Sequence, residues 1–316
     1  MFNPRLFRRL ALIAVAAGLP ACVAPAASAR ILSVGSGAEY KLPSAAIAAA
    51  ADGDIVQIAA GEYFDCATVK ANRLTIEGTG PNATAVLTDK TCGGKALLVT
   101  VGSDITVRNL TLARARVPDS NGAGIRGEGA NLTVDGVRFI NNQNGILAGA
   151  NPDSTIIVRN SDFERNGICA EYCSHGIYAG QIKLLRVEKS RFSNTREGHH
   201  IKSRAQRTEV IGCNISDGPE GTASYMIEVP NGGNVVVRDT TLEEGPKSQN
   251  HTGAIVIGME GVTQPTREIT IENNTFRNTG NYPTFLVVNS TAEEAKLRGN
   301  HISGNAKPLR GNGDAK

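Results

Sequence analysis

Apolar and polar residues recur along most of the chain in one short phrase, seen as VRNLTL at 107–112, VDGVRF at 134–139, VRNSDF at 158–163, VEKSRF at 187–192 and IENNTF at 271–276. Centring each copy on its strand residue marks Ile76, Val107, Val134, Val158, Val187, Val210, Val237, Ile271 and Leu297, and most of the gaps lie between 23 and 29 residues. A period of that length makes each copy one turn of a solenoid. Within a copy, alternate positions such as Ile156 and Val158, or Ile269 and Ile271, form one apolar face, the period of a strand with one buried side. The next apolar residues follow a polar or glycine pair, as Val137 and Phe139 follow Asp135 and Gly136, so the strand bends and then points inward again. This pattern predicts a parallel β-helix. Unbroken 3.6-residue periodicity is missing and two helices do not fit between anchors, which argues against helical solenoids.

A second series runs out of phase with the first, at Ile125, Ile146, Ile177, Ile201 and Ile227, with steps of 21, 31, 24 and 26 residues. Two series of matching rhythm require at least two parallel sheets. Asn142, Asn166 and Asn305 fall just past copies of the phrase, where a side-chain amide can satisfy turn backbone and stack on its neighbour in the next coil; asparagine is also simply common in turns. Residues 43–51 are Ala-rich, open on Pro43 and precede Gly53, which predicts a short helix lying as a lid on the first coil, where core and strand edge would otherwise be open.

The segments GDIVQI at 53–58, GEY at 61–63 and LTIEG at 74–78, together with the repeats, resemble right-handed β-helix proteins of the pectate lyase-like superfamily over roughly residues 40–305. The resemblance implies a single all-β, right-handed parallel β-helix domain over 30–305, with the capping helix at about 43–51; the tail over 306–316, with Gly311, Gly313 and polar neighbours, reads as frayed. It also implies a carbohydrate substrate without selecting the reaction. The group includes polysaccharide lyases, C5-epimerases and galacturonan hydrolases. The Asp-Pro-His motif of mannuronan epimerases is missing, the nearest fragment being Asn151, Pro152 and Asp153. The paired aspartates of polygalacturonases and an acidic cluster like the calcium site of pectate lyases are not apparent either. No cofactor or metal is implied, although a calcium ion is compatible with the fold.

The amino terminus has the form of a secretory signal peptide over 1–29: Arg5, Arg8 and Arg9, an apolar run from 10 to 19 too short to span a bilayer, then Ala27, Ser28 and Ala29. This predicts a secreted or periplasmic protein with no membrane association after signal removal, unless Cys22 is lipidated at a site faintly like a lipoprotein signal. The leader carries three arginines and no acids, so 33 basic residues become 30 against 30 acidic ones and the formal charge of +3 falls to zero. Nothing global then favours nucleic acid, and a monomer is expected. Five cysteines remain. Cys169 and Cys173 fall in the longest step of the second series and are expected to staple a projecting loop. Cys66 and Cys92 are about one coil apart and fit neighbouring rungs, and Cys213 fits as a small core residue.

Polar residues crowd into three consecutive coils, around His175 and Tyr178, then His199 to Arg204, then Tyr225 and Glu228. If Ile177, Ile201 and Ile227 point inward, the residues that follow them form an outward row, Tyr178, Lys202 and Glu228, spaced by about 4.8 Å, with Arg126 and Leu147 preceding it. His200 and Arg204 are expected on the same face, with Gly124, Gly145 and Gly176 as the floor of a groove. Such a surface suits an acidic, uronate-containing polysaccharide: a cation neutralises the carboxylate, acidifying the C5 proton, and a base removes it. Departure of the 4-linked oxygen gives β-elimination, and reprotonation on the opposite face gives epimerisation. The expected catalytic set is His200 as base, Tyr178 as acid, and Lys202 and Arg204 on the carboxylate. His200 and Tyr178 are interchangeable, His199 is an alternative to His200, and Lys or Arg serves as base elsewhere in the superfamily. The expected substrate-binding set is His175, His199, Arg126, Tyr225 and Glu228, with His175 and His199 also readable as a structural stack and Glu228 as an ion-pair partner of Lys202. A hydrolase would need two flanking carboxyls, for which Glu228 with Glu197 or Glu220 are candidates. A non-catalytic glycan-binding or surface protein remains the other reading, since any solvated strand displays polar residues, although the chain has no Trp and 4% aromatics.

Overall fold

The structure, a computed structural model, describes residues 28–316. The expected leader and Cys22 therefore lie outside the described residues, apart from Ser28 and Ala29. The chain winds through three parallel sheets. Sheet A has twelve strands, from Ile31–Val34 to Gly313–Ala315; sheet B has ten, from Gly61–Tyr63 to His301–Ser303; sheet C has ten, from Ala67–Val69 to Ala306–Gly311. Each coil visits A, B and C in turn, so successive coils pair strand on strand. All nine anchors of the repeated phrase stand in one column of sheet A, each paired with the next from Ile76 to Leu297. The column is buried from end to end.

The bend between A and B is a single left-handed residue in almost every coil: Asn109, Gly136, Asn160, Lys189, Gly212, Asp239, Asn273 and Gly299 have φ between 47° and 65°. Glycine and asparagine tolerate that conformation best, which is why the phrase carries a polar or glycine pair there. One residue later, side chains of each coil accept the backbone N–H of the coil before, as Val137 N–H donates to Ser161 Oγ (3.2 Å), Thr240 N–H to Asn274 Oδ1 (3.0 Å) and Asn274 N–H to Asn300 Oδ1 (3.0 Å). At the B-to-C corner Asn142 and Asn166 form the expected amide ladder, with Asn142 Nδ2 donating to Asn166 Oδ1 at 3.1 Å and both fully buried. Asn305 is not part of it. Its side chain is exposed, while its carbonyl accepts from Thr284 N–H and from Asn278 Nδ2.

Inside, sheet B stacks Phe139, Phe163 and Phe192 with ring centroids 4.5 and 4.4 Å apart. The lid is the helix Pro43–Ala49, which buries Ala46 and Ile47 and ends before Ala51 because Ala50 is already extended. The carboxyl end departs from expectation. Residues 306–316 are not frayed, because Ala306–Gly311 pairs with Thr284–Asn289, Gly313–Ala315 pairs with Ala295–Arg298, and Arg298 holds Asp314 at 2.9 Å. Their alternation was too short to register as another copy of the phrase. Cys66–Cys92 and Cys169–Cys173 are disulfides, and Cys213 is a buried free thiol whose pKa burial raises to about 11.

Candidate functional site

Sheet C carries the second series in register: Ile125, Ile146, Ile177, Ile201 and Ile227 pair in order, and the following residues form the outward column Arg126, Leu147, Tyr178, Lys202 and Glu228. The residue before each isoleucine, however, also faces inward. A Cβ on Gly124 would lie 2.7 Å from the Phe139 ring, and one on Gly145 2.7 Å from Phe163, while Met226 is part of the core. Those glycines pack against the phenylalanine stack and do not floor a groove. The strands thus run out, in, in, out, so His175, His199 and Tyr225 form a second outward column.

His200 occupies the inward position and is corrected accordingly. Its side chain is wholly buried, with Nδ1 2.7 Å from Thr195 Oγ1 and Nε2 2.9 Å from the buried Asp217 Oδ1. Phe192 meets it edge-on at 6.3 Å, and the phenylalanine stack gives way to Ile215 in the next coil, which leaves room for an imidazole. His200 cannot touch a ligand on the outer face.

The outward columns border a cleft of about 490 Å³, lined among others by His175, Tyr178, His199, Lys202, Arg204 and Glu260. The rings of His175, His199 and Tyr225 stack at 4.9 and 5.1 Å. His175 Nδ1 accepts the backbone N–H of His199 (3.0 Å) and His199 Nδ1 accepts that of Tyr225 (3.2 Å). A ring nitrogen that accepts carries no proton, so each imidazole bears its hydrogen on Nε2 and offers a donor, not a base. His199 Nε2 lies 2.9 Å from Glu228 Oε2. His175 is held neutral: burial lowers its pKa well below the ordinary value, and His199, Lys202 and Arg204 push in the same direction.

Lys202 Nζ is 2.7 Å from Glu228 Oε2 and 2.7 Å from Glu260 Oε1. Arg204 donates from Nε to Tyr178 Oη (3.0 Å), from Nη2 to Glu260 Oε2 (2.6 Å) and from Nη1 to Asn231 Oδ1. Burial works against ionisation of Glu228, but His199 and Lys202 outweigh it and hold the carboxyl below the usual range; burial likewise opposes ionisation of Glu260, and Lys202 and Arg204 outweigh it. Two cations therefore face two carboxylates, and the cationic surface expected from sequence is balanced. Glu260 was not anticipated. The signal for it was the 34-residue gap between Val237 and Ile271, the longest in the first series. Tyr172 was missed too: it stands 70% exposed at the cleft on the hairpin closed by Cys169–Cys173.

Other expected residues lie apart. Arg126 is in the right column but beyond Leu147, with its Nε 3.7 Å from Glu128, and does not line the cleft. Tyr225 is buried, its hydroxyl accepting from Asn250 Nδ2 (2.6 Å), and Glu228 lies beneath Lys202. Glu197 accepts Cys169 N–H and Glu220 pairs with Lys247, so neither flanks the cleft with Glu228.

A family profile described as a right-handed beta helix region matches residues 150–314. Among solved structures, the chain is similar to the alginate lyase from Paenibacillus sp. str. FPU-7, at 18% identity over 90% of this chain and 99% of that one, with a TM-score of 0.67. It is also similar to Escherichia coli YbhC (14% identity, 92% and 89% covered, TM-score 0.54) and to the pectin methylesterase from Aspergillus niger (11% identity, 92% and 93% covered, TM-score 0.51). At such identities the likeness is one of fold. No curated protein matches significantly.

Proposed function

We propose that this chain, which belongs to the right-handed β-helix family, is an exported, secreted or periplasmic enzyme that cleaves an acidic, uronate-containing polysaccharide by β-elimination. The observation that carries the reading is the Arg204 Nε–H donated to Tyr178 Oη, beside Lys202 on the next strand, within one cleft. Tyr178 is the proton-transfer residue, because the histidines first expected to serve are spent: His200 is interior, and His199 and His175 present N–H groups. The guanidinium supports negative charge that develops on the tyrosine oxygen. Lys202, Arg204 and the His175 Nε2–H neutralise the substrate carboxylate as the C5 proton leaves, and Glu260 gives up its place on the two cations to that carboxylate. The C5 proton passes to Tyr178 Oη, the C4–oxygen bond breaks as a C4–C5 double bond forms, and the leaving oxygen takes that proton from Tyr178 Oη. The alginate lyase and the pectin methylesterase that share the fold act, by name, on alginate and pectin, so acidic polysaccharides are the substrates to test first.

Epimerisation at C5 is the second reading on the same groups. It needs protons on opposite faces of one sugar, whereas Tyr178, Lys202 and His175 rise from a single sheet face, which favours elimination. Hydrolysis needs a carboxyl that stays protonated to act as acid. Glu228 and Glu260 are both held below the ordinary carboxylate range, so they fit that role poorly. The test is incubation with a panel of polyuronates while following the ultraviolet absorbance of the conjugated double bond. New reducing ends without that absorbance would point to hydrolysis, and solvent deuterium entering C5 without cleavage would point to epimerisation. Binding with none of these would leave a glycan-binding protein and overturn the proposal.

A further inference from the structure

We infer that Arg116 and Arg196, at the B-to-C corner beside the cleft, form an oxyanion-binding site that holds a second carboxylate of a bound polyuronate, away from the reacting sugar. Both guanidinium groups converge on one neutral atom: Arg116 Nη2 and Arg196 Nη2 each donate to Asn141 Oδ1 at 2.8 Å. Two contacts of 2.8 Å to one atom place the two nitrogens at most 5.6 Å apart, a close approach of like charges. Neither guanidinium has a carboxylate within 4 Å among the described residues, whereas most arginines along the coil do, such as Arg108 on Glu77 and Arg159 on Asp135. The carboxylates that act on them from beyond that distance, Asp89 on Arg116 and Glu197 on Arg196, are engaged elsewhere. Both oxygens of Asp89 are held by Arg114, and Glu197 accepts the Cys169 N–H. Partial burial and repulsion from Arg196 lower the pKa of Arg116, and partial burial with repulsion from Arg165 lowers that of Arg196.

The convergence is built by the fold. Asn141 stands in the left-handed corner position of its coil (φ 55°), while Arg116 leaves the corner of the coil before and Arg196 that of the coil two further on. The arginines thus reach along the surface toward each other, from coils three strands or about 14 Å apart, to one anchor. Planar guanidiniums held so, with donors to spare and no counterion, match a carboxylate or another oxyanion. The corner adjoins the cleft through its own backbone: Arg196 precedes Gly198 and His199, and Asn121 beyond Arg116 lines the cleft wall. A polymer seated on Tyr178 and Lys202 and crossing that wall would bring a carboxylate to the pair.

This inference rests on the elimination reading for its ligand, and two measurements separate the failures. In the first, the guanidinium Nε–Hε resonances of the full chain are followed by NMR as sodium sulfate is added against sodium chloride of equal ionic strength. The expected result is a saturable shift of Arg116 and Arg196 specific to sulfate; movement that tracks ionic strength alone overturns the site, whatever the enzyme cleaves. In the second, the double variant Arg116→Gln/Arg196→Gln is assayed on polymer and on the shortest cleaved oligomer. The expected result is KM raised about tenfold on polymer and unchanged on the short oligomer, with kcat kept on both. Equal KM on polymer would remove the carboxylate assignment. Wild-type protein that cleaves no polyuronate while keeping the sulfate response would overturn the elimination reading and the polymer ligand, leaving the anion site itself.

Discussion

Replacing Glu244 by glutamine should stabilise the protein, and by an amount that grows with pH. Glu244 points into the coil from the strand Thr241–Glu244, is fully buried, and neither carboxylate oxygen has a hydrogen-bond partner. Burial raises its pKa from 4.5 to about 8; Thr284 offsets part of that rise, and the charge of the nearby Asp217, the smallest of the three effects, adds to it. Since the folded pKa lies above the unfolded one, the folded protein retains a proton between pH 4.5 and 8 that the unfolded chain has released. Stability is therefore fully present below pH 4.5 and falls, by about 1.4 kcal/mol per unit, until it levels off above pH 8. At pH 7, 2.5 units above 4.5, the accumulated loss is about 3 kcal/mol. Above pH 8 it reaches roughly 5 kcal/mol, the scale expected for a carboxyl ionised without a partner.

Glutamine has the same shape and does not titrate. Urea unfolding of wild type and Glu244→Gln between pH 4.5 and 9 should give curves that nearly meet at the acid end and diverge to about 3 kcal/mol at pH 7. Other groups have their own pH dependence. His175, whose folded pKa is depressed, contributes stability above its unfolded value that is lost as pH falls below it, but this cancels in the difference between the two proteins. A constant offset across the range, or a difference shrinking toward alkaline pH, would refute the reasoning.

Four further outcomes are expected. Tyr178→Phe should reduce kcat on the cleaved polyuronate by about 10²–10⁴-fold with KM little altered, measured as unsaturated product. Glu260→Gln should lower KM for acidic polymers several-fold by freeing Lys202 and Arg204, an effect that fades with added salt. Tyr172→Ala should raise KM about tenfold with kcat kept, as should Cys169→Ser/Cys173→Ser, which frees the hairpin that presents the ring; Tyr172→Phe should not. His200→Ala should destabilise by about 3 kcal/mol in urea, because Asp217 is left buried without its partner, while the protein that remains folded keeps its kcat.

The coil was legible because burial repeats. Nine anchors of sheet A and five isoleucines of sheet C fell into register, since each is an apolar residue that the same position demands in every turn. The bend was legible too, because a left-handed residue selects glycine or asparagine. Glu260 and Tyr172 were not, because both sit in insertions between coils, where no period constrains the sequence and position is set by contacts such as Lys202–Glu260. His200 had a legible signal that strict alternation concealed. The residue before each isoleucine of the second series is Gly, Gly, Gly, His, Met; the four other than His200 are small or apolar, which suits a core position, and His200 belongs with them in that column.

The paired inward residues also explain why the chemistry is concentrated where it is. In a regular strand, residues three apart lie on opposite faces and about 10 Å from one another. The out, in, in, out course of sheet C instead returns residue i+3 to the face of residue i, and the rings of His175 and Tyr178 stand 5.7 Å apart. Each coil then contributes two side chains to the outer surface where an alternating strand would separate them: His175 with Tyr178, His199 with Lys202, Tyr225 with Glu228. Three coils assemble six such groups, which is how His199 and Lys202, from one strand, both reach Glu228 on the next. The kink needs something beneath it to receive two consecutive side chains, and the core supplies it by pairing glycine with the phenylalanine stack, then His200 with Asp217 where that stack ends. The interior histidine and the half-buried tyrosine at the cleft thus answer to the same kink. His200 fills the core beneath that strand and serves stability, and Tyr178 presents its oxygen to the cleft.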